Sequence, residues 1–350
     1  MNPGKQAEYI QEIEQLATLP LLWEKLRGTK LLITGACGMI GSYMVDVLMA
    51  ANRIHGLGMT ILPMGRSAEK ARARFAAYWG QPDFSFVEGD VNKPLPTMEG
   101  QVDYIFHAAS NTHPVAYATD PINTVLTNII GTNNLLQFAA EHDCKRFIFA
   151  STVEVYGENR GDCEYFTEDY CGYIDCNTLR AGYPESKRAG EALCQAYIKQ
   201  TGMDVVIPRL PRVYGPTLLQ SDTKALSQFL RKALAGEDIV LKSAGTQYFS
   251  YIYVGDAVYG ILYTLMYGEN GQAYNIADAG SDIHLRDLAQ KIAAICGQQV
   301  IFDIPDATEQ AGFSKATKAV MDSSKLRQLG WAPQVNLEEG LRRTLHLLKD

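Results

Sequence analysis

The chain lacks any apolar run approaching the roughly 18 residues of a membrane span. Its opening Met1-Asn2-Pro3-Gly4-Lys5 has no apolar segment of the kind that directs export, so a cytoplasmic location without a membrane partner is expected. Positive charge is also short: 32 Lys and Arg stand against 39 Asp and Glu, a formal net charge of −7. A general nucleic-acid binder carries a basic face, so nucleic acid is not an expected partner, although a local basic pocket for a phosphate fits this balance. The seven cysteines are an odd number, which argues against a disulfide framework. Cys163, Cys171 and Cys176 share one segment, but their spacing matches no paired zinc knuckle and no histidine lies among them; no metal is expected. Internal repeats and low-complexity linkers are missing as well.

What is present is the composition of a soluble globular protein, 47% hydrophobic and 20% charged, in a chain long enough for one large domain or two unequal ones. Residues 8–27 read as one or two short amphipathic helices, with Ile10, Ile13, Leu16 and Leu22 among acids and bases. Lys30-Leu31-Leu32-Ile33-Thr34 is a buried-strand run that breaks into a glycine loop, and a helix follows from about Met39 to Met49. Further apolar runs at 59–64, 84–87, 103–107, 146–150 and 204–207 alternate with helical patterns. This rhythm predicts an α/β fold: a Rossmann-type doubly wound parallel sheet covered on both faces. Beyond 216 the pattern loosens into helices at 223–235, 256–267, 285–296 and 337–348 and a short strand near 239–241. The expected organisation is a helical extension over 1–27, a dinucleotide-binding domain over 28–215, and a smaller mixed domain over 216–350 that mainly binds substrate, with some segments returning to the first domain.

Gly35-Ala36-Cys37-Gly38-Met39-Ile40-Gly41 places three glycines three apart between a strand and a helix. That context gives the spacing its meaning: a tight turn, close approach of backbone to a pyrophosphate, and a helix N-terminus that attracts the anion. The second strand ends Met64-Gly65-Arg66-Ser67, without the acid that would hydrogen-bond the ribose hydroxyls of NAD. Arg66 is placed to meet a 2′-phosphate, so NADP is favoured, with NAD as the alternative. Asp90-Val91 is expected near the adenine amine. His107-Ala108-Ala109-Ser110 ends the fourth strand with small residues that let backbone approach a cofactor. His107 itself reads as a satisfied core histidine rather than a catalytic one.

Tyr183 and Lys187 lie four apart, on one face of an expected helix. An ammonium beside a phenol favours the phenolate, so Tyr183 is expected to have a lowered pKa and to serve as proton donor or acceptor for an alcohol or carbonyl. Glu154, two residues after Thr152 on a segment expected to be extended, should point to the same side as that threonine.

Together these residues resemble the extended short-chain dehydrogenase/reductase family, particularly its nucleotide-sugar epimerases, 4,6-dehydratases and UDP-glucuronate decarboxylases. The resemblance rests on Thr34-Gly35-x-x-Gly38-x-x-Gly41, Asp90-Val91, His107-Ala108-Ala109-Ser110, Asn128-Ile129-Ile130-Gly131-Thr132-Asn133, Ser151-Thr152-Val153-Glu154-Val155-Tyr156-Gly157, Tyr183-x-x-x-Lys187, Val213-Tyr214-Gly215-Pro216 and Leu329-Gly330-Trp331-x-Pro333. It covers nearly the whole chain after residue 28. It implies that Thr152 hydrogen-bonds the reacting oxygen, Tyr183 takes its proton, Lys187 holds the nicotinamide ribose, and Asn128 ties its helix to the site beside the cofactor. Ser110 is expected to face both cofactor and substrate.

The resemblance also implies a substrate class, a nucleotide sugar. Family dehydratases and glucuronate decarboxylases carry the Glu at 154, where epimerases usually have an uncharged residue; a carboxylate there could take a C5 proton or arrange the substrate. Dehydratases place an Asp where this chain has Val153, which counts against 4,6-dehydration and leaves decarboxylation or C5 epimerisation. Three positions depart from the family pattern. Phe249 stands where relatives usually carry an Arg that contacts the sugar nucleotide, Arg212 stands where they often have Asn, and Lys315 and Lys318 lie where a diphosphate-binding Arg is common. Arg212 and Lys318 are therefore candidate substrate contacts. The segment from Glu158 to Gly182 is expected to form a loop over the sugar pocket, and helices at about 118–141 and 183–200 to build a homodimer. The competing reading is an NADPH-dependent carbonyl reductase of the same fold; a sensor without turnover would be expected to lose Tyr183 or Lys187.

Overall fold

A computed structural model of the protein describes residues 3–98, 100–112, 114–303 and 317–349. The leading run of aliphatic residues becomes β1 (Lys30–Thr34), whose Leu31, Leu32 and Ile33 are buried on both faces, as the middle of a parallel sheet requires. Around it assemble β2 (Thr60–Gly65), β3 (Val87–Glu88), β4 (Tyr104–His107), β5 (Arg146–Phe149), β6 (Ser151–Thr152), β7 (Val205–Leu210) and β11 (Ala273–Asn275). All pairings are parallel, in the order β3-β2-β1-β4-β5-β7-β11, with β6 extending the pairing of β7. Strand order reverses between β1 and β4, the switch point at which open α/β sheets place their ligand crevice.

Two cores clothe this sheet. One face buries Leu32, Leu62, Ile105, Phe147, Phe149 and Ile207 under Leu135, Leu136, Phe138 and Cys194 of the helices Thr132–Glu141 and Gly182–Thr201. The other buries Leu31, Ile33, Ile61 and Phe106 under the helices Met39–His55 and Val254–Tyr267. Glycines in left-handed conformation, Gly56 at φ 58° and Gly202 at φ 75°, end the helices that follow the glycine loop and carry Tyr183.

The C-terminal part contributes β8 (Arg212–Tyr214), β10 (Tyr248–Tyr253), β12 (Asp282–His284) and β14 (Lys318–Ala319), with β10 antiparallel to β12 and parallel to β8 and β14. A separate pair joins β9 (Ile239–Leu241) to β13 (Val300–Phe302).

Two local expectations need correction. The N-terminal helix starts at Pro3 and runs to Ala17, followed by a 3-10 turn at Trp23–Leu26. It is fastened to the first Rossmann helix by carboxylate–phenol bonds: Tyr9 Oη donates to Asp46 at 2.6 Å, and Tyr43 Oη to Glu12 at 2.6 Å. The expected strand at 84–87 shrinks to Val87–Glu88, with a single bridge from Ile61 to Phe84. There Phe75, Tyr78 and Trp79 gather on Phe84 with ring centroids 5.6–6.0 Å apart, so ring packing rather than strand pairing organises the segment.

Gly35 is a tight, left-handed backbone position at the switch point. Its φ is 67°, and a Cβ there would stand 2.8 Å from the Ala108 carbonyl carbon. Gly35→Ala should therefore lower stability by about 2–4 kcal/mol, from left-handed strain plus overpacking, and weaken dinucleotide binding. Thermal unfolding with and without dinucleotide checks this; a variant matching the parent on both counts removes the argument.

Candidate active site

The glycine loop leads straight into the helix Met39–His55. Gly38 caps that helix without a side-chain oxygen, so its first N–H groups are open to an anion. Gly41 is required by packing: a Cβ there would sit 2.4 Å from the Gly35 carbonyl oxygen. Cys37 is half-buried beside Gly65, and burial pushes its thiol pKa up, so it is a wall of the loop rather than a nucleophile. Met39 and Ile40 are partly buried against the core, and the Met39 carbonyl accepts from Thr217 Oγ1 at 2.9 Å, which pins the loop after β8 to this helix start. Arg66 is exposed at the end of β2; Ser67 is committed to capping the next helix through Lys70 N. Asp90 accepts from Asn92 N at 3.0 Å in a tight turn, and Val91 is buried against Gly131. These features suit a dinucleotide: a glycine turn, an uncapped helix N-terminus and small residues at the switch point.

Behind the loop runs a closed hydrogen-bond chain. Thr34 Oγ1 accepts from Ala108 N and Ala109 N, both at 3.2 Å, and lies 2.8 Å from His107 Nδ1. Thr132 Oγ1 donates to the Asn128 carbonyl at 2.6 Å, so it accepts from His107 Nε2 at 3.1 Å, and Nδ1 is the nitrogen that accepts from Thr34. Burial, and then the Lys187 charge, hold His107 well below the usual imidazole pKa. It is the satisfied core histidine that the sequence implied. Asn128 sits in a π-helical turn at Thr127–Gly131, completely buried. Its Oδ1 accepts from Ser110 Oγ at 2.8 Å and its Nδ2 donates to Ser186 Oγ at 2.9 Å, joining the β4 loop to the helix Gly182–Thr201.

That helix presents Tyr183 and Lys187 one turn apart, both buried, toward the ends of β5 and β6. Tyr183 lies beside Thr152, whose side chain acts on the phenol. Lys187 Nζ donates to the Ala150 carbonyl at 2.8 Å and lies 4.7 Å from the Phe149 ring centroid. The phenol is not lowered as expected. Burial, and then the Glu154 charge, push its pKa up, while Thr152 and Arg180 oppose the rise. Lys187 is turned to a carbonyl instead, and burial brings its own pKa down to about 8 against the pull of Glu191. Glu154 is likewise not on an extended segment. Val153–Tyr156 form a 3-10 turn capped by Thr152 Oγ1, which accepts from Glu154 N at 3.3 Å. Glu154 still acts on Tyr183, and Arg180 Nη2 holds it at 2.7 Å.

Sequence reasoning missed three members of this cluster. Arg180 lies over the Tyr117 ring at 5.1 Å, and Tyr117 stacks on Tyr183 at 5.0 Å. Glu191 accepts from Ser151 Oγ at 2.5 Å and from Nε and Nη2 of Arg209 at 3.0 and 2.6 Å. Glu191 had a usable signal, being four residues beyond Lys187 on the same helix face. Arg180 and Tyr117 had none, because contacts between loops leave no period in the sequence.

The 158–182 segment is packed down rather than free. Phe166 is fully buried between Tyr156 and Tyr170, with centroids 4.9 and 5.0 Å away, and Arg188 donates to the Val155 and Gly172 carbonyls. At the far side, Arg212 aligns with Tyr251 and stacks on Phe249, its guanidinium carbon 3.4 Å from the ring centroid. Lys318 is not brought to this cluster. It pairs with Tyr248, and alternation along β10 puts that residue on the opposite face from Phe249; its Nζ lies 5.9 Å from the Tyr165 ring. Lys315 lies outside the described residues. Among the described residues no group of three metal-ligating side chains is gathered, and no helix is long and apolar enough to cross a membrane.

Known proteins resemble this chain in sequence and fold. A family profile for the NAD-dependent epimerase/dehydratase family matches residues 31–277. UDP-glucuronic acid decarboxylase 1 of Xenopus tropicalis is 33% identical over 348 residues, covering 98% of this chain and 78% of the relative. UDP-glucuronic acid decarboxylase 6 of Arabidopsis thaliana is 32% identical over 313 residues, 89% of this chain and 86% of its own. Among solved structures, the dTDP-glucose 4,6-dehydratase DesIV of Streptomyces venezuelae superposes with a TM-score of 0.78 at 26% identity, covering 91% of this chain and 96% of that one. The doubly wound sheet, the glycine loop at its switch point and these relatives agree: the chain belongs to the NAD-dependent epimerase/dehydratase family of extended short-chain dehydrogenases/reductases.

Proposed function

We propose that the protein oxidises a nucleotide sugar at C4, carries out decarboxylation or epimerisation at C5, and reduces the product again. The observation that carries this reading is one cluster in which Tyr183, beside Thr152 and one helical turn from Lys187, feels the carboxylate charge of Glu154. When bound, the nicotinamide accepts a hydride from the sugar C4 and later returns it. Gly35, Cys37, Gly38, Met39, Ile40 and Gly41 would hold its pyrophosphate, Asp90 and Val91 the adenine, and Ala108, Ala109, Ser110, Asn128, Tyr183 and Lys187 the nicotinamide end.

In the chemistry, Thr152 fixes the C4 oxygen and Tyr183 Oη exchanges its proton. Because the buried phenol resists ionisation, the protonated form is its resting state, and the neighbours that ease loss of its proton are Thr152 and then Arg180. Once C4 is a ketone, the neighbouring C5 bonds are weakened, since the carbonyl accepts their electrons. Glu154, steadied by Arg180, can then take a C5 proton or orient a C6 carboxylate as CO2 departs. Dehydration across C5 and C6 would need an acid for the leaving hydroxyl. The neighbouring Val153 is a buried hydrocarbon, which supports the other two outcomes. The sequence similarity to UDP-glucuronic acid decarboxylases supports decarboxylation in particular.

For the dinucleotide we propose NADP, supported by the exposed Arg66 at an acid-free end of β2. NAD is the alternative, favoured by Glu88, which accepts from Ala68 N at 3.1 Å and would oppose a second phosphate close by. We also propose a homodimer through the helical run 121–141 and its neighbour Gly182–Thr201, because Ile122, Leu126, Ile129 and Ile130 form an exposed apolar row there.

Tyr183→Phe should lower turnover by about 10²–10⁴-fold while leaving dinucleotide affinity unchanged; unaltered turnover sinks the central assignment. Glu154→Gln should permit reduction of the dinucleotide by sugar but block change at C5, so an equal loss of both steps would make Glu154 a structural part. Denaturing fresh protein and identifying what it releases tests the cofactor: tightly held dinucleotide supports a self-recycling enzyme, and an empty protein that consumes added NADPH supports the carbonyl reductase. Sedimentation should give a dimer, and a monomer at micromolar concentration would remove that proposal.

A further inference from the structure

Arg212 is a buried guanidinium that feels the charge of Glu154, and its hydrogen bonds are not accounted for among the described residues. Its Nη1 is enclosed and has no hydrogen-bond partner among the described residues. The flat stack on Phe249 at 3.4 Å occupies the face of the cation but none of its five donors. The titratable groups that act on it are Tyr251, a neutral phenol at neutral pH, then Glu154 and Arg180, and Glu154 is already engaged by Arg180 at 2.7 Å. Two guanidinium groups therefore share one carboxylate, leaving the sugar end of the site with unbalanced positive charge. Burial makes this arrangement costly for Arg212, whose pKa is pushed down by it. Natural chains keep such strain mainly where a ligand relieves it.

The two strands explain how the charge came to this place. Arg212 on β8 aligns with Tyr251 on β10, and Phe249 lies two residues earlier on the same face of β10. The family pattern puts an arginine at 249 and often an asparagine at 212. In this chain the cation has crossed to the neighbouring strand, and an aromatic ring fills the vacated position as the platform beneath it.

We propose that Arg212, held flat on Phe249, is the oxyanion anchor of the substrate, its free fork taking either the C6 carboxylate of a uronic acid or the diphosphate. The inference rests on the nucleotide-sugar reading above and deepens it by naming the charged group. The fork suits both anions because each offers two oxygens in one plane.

Affinities of the parent, Arg212→Met and Arg212→Lys for UDP-glucuronate and UDP-glucose, read by calorimetry beside thermal unfolding, test it. Arg212→Met should bind UDP-glucuronate at least about tenfold more weakly, and Arg212→Lys should recover only part, because lysine lacks the fork. Loss confined to UDP-glucuronate assigns the carboxylate; equal loss for both sugars assigns the diphosphate. The unliganded Arg212→Met protein should unfold at the parent's temperature or above it, since an unpaired buried charge is removed. Unchanged affinity for both sugars overturns the proposal, as does a lowered unfolding temperature in Arg212→Met together with full affinity in Arg212→Lys. If the parent binds neither sugar, the nucleotide-sugar reading fails. The anchor is then decided by inorganic pyrophosphate, which should raise the unfolding temperature of the parent but not of Arg212→Met; equal responses overturn it.

Discussion

The site depends on keeping one ammonium group inside the protein. Lys187 is 2% exposed, and burial of an unpaired cation would cost several kcal/mol. Three features offset that cost: the Ala150 carbonyl at the end of β5, the face of Phe149, and the negative charge of Glu191 one turn further along the helix. The first two tie the helix Gly182–Thr201 to the end of β5. With the helix fixed in rotation and height, Tyr183 one turn earlier has a single place to go, against Thr152. Glu191 is in turn fixed by Ser151 and Arg209, so the catalytic helix and β6–β7 form one polar unit on the rim of an apolar core.

The cofactor side is held by a different device. The chain from Thr34 through His107 to Thr132 spans β1, β4 and the helix Thr132–Glu141, so the two strands that flank the switch point cannot part without stranding a buried imidazole. The π-helical turn at Thr127–Gly131 then brings Asn128 between Ser110 and Ser186. A regular α-helix would place the next residue of its inner face differently, and the amide would not bridge the two serines. Cofactor side and catalytic side thus meet through one buried asparagine.

The C-terminal part holds its cation on a pair of strands. β8 and β10 pair in parallel, with Tyr214 and Tyr253 packed behind them beside Gly340. Arg212 on one strand and Phe249 on the other meet across the pair. Stacking at 3.4 Å makes the two side chains a single unit. Ring and cation are coupled, so either residue read alone would mislead.

The sequence by itself determined the frame: strand runs such as Leu31-Leu32-Ile33, the glycine loop placed between strand and helix, and the Tyr183–Lys187 spacing are local patterns whose physics acts within a few residues. These were enough to foresee the parallel sheet and to identify His107 as a core residue. What only the tertiary structure decided were contacts between distant segments. The raised rather than lowered pKa of Tyr183 follows from burial and from Glu154. The pairing of Glu154 with Arg180, and the stacking of Tyr117 on Tyr183, join segments far apart in sequence, and no local period announces them. The separation of Lys318 from Arg212 follows from which face of β10 each strand partner meets. Burial and charge are properties of the folded surroundings, and the sequence states them only once the chain has closed around them.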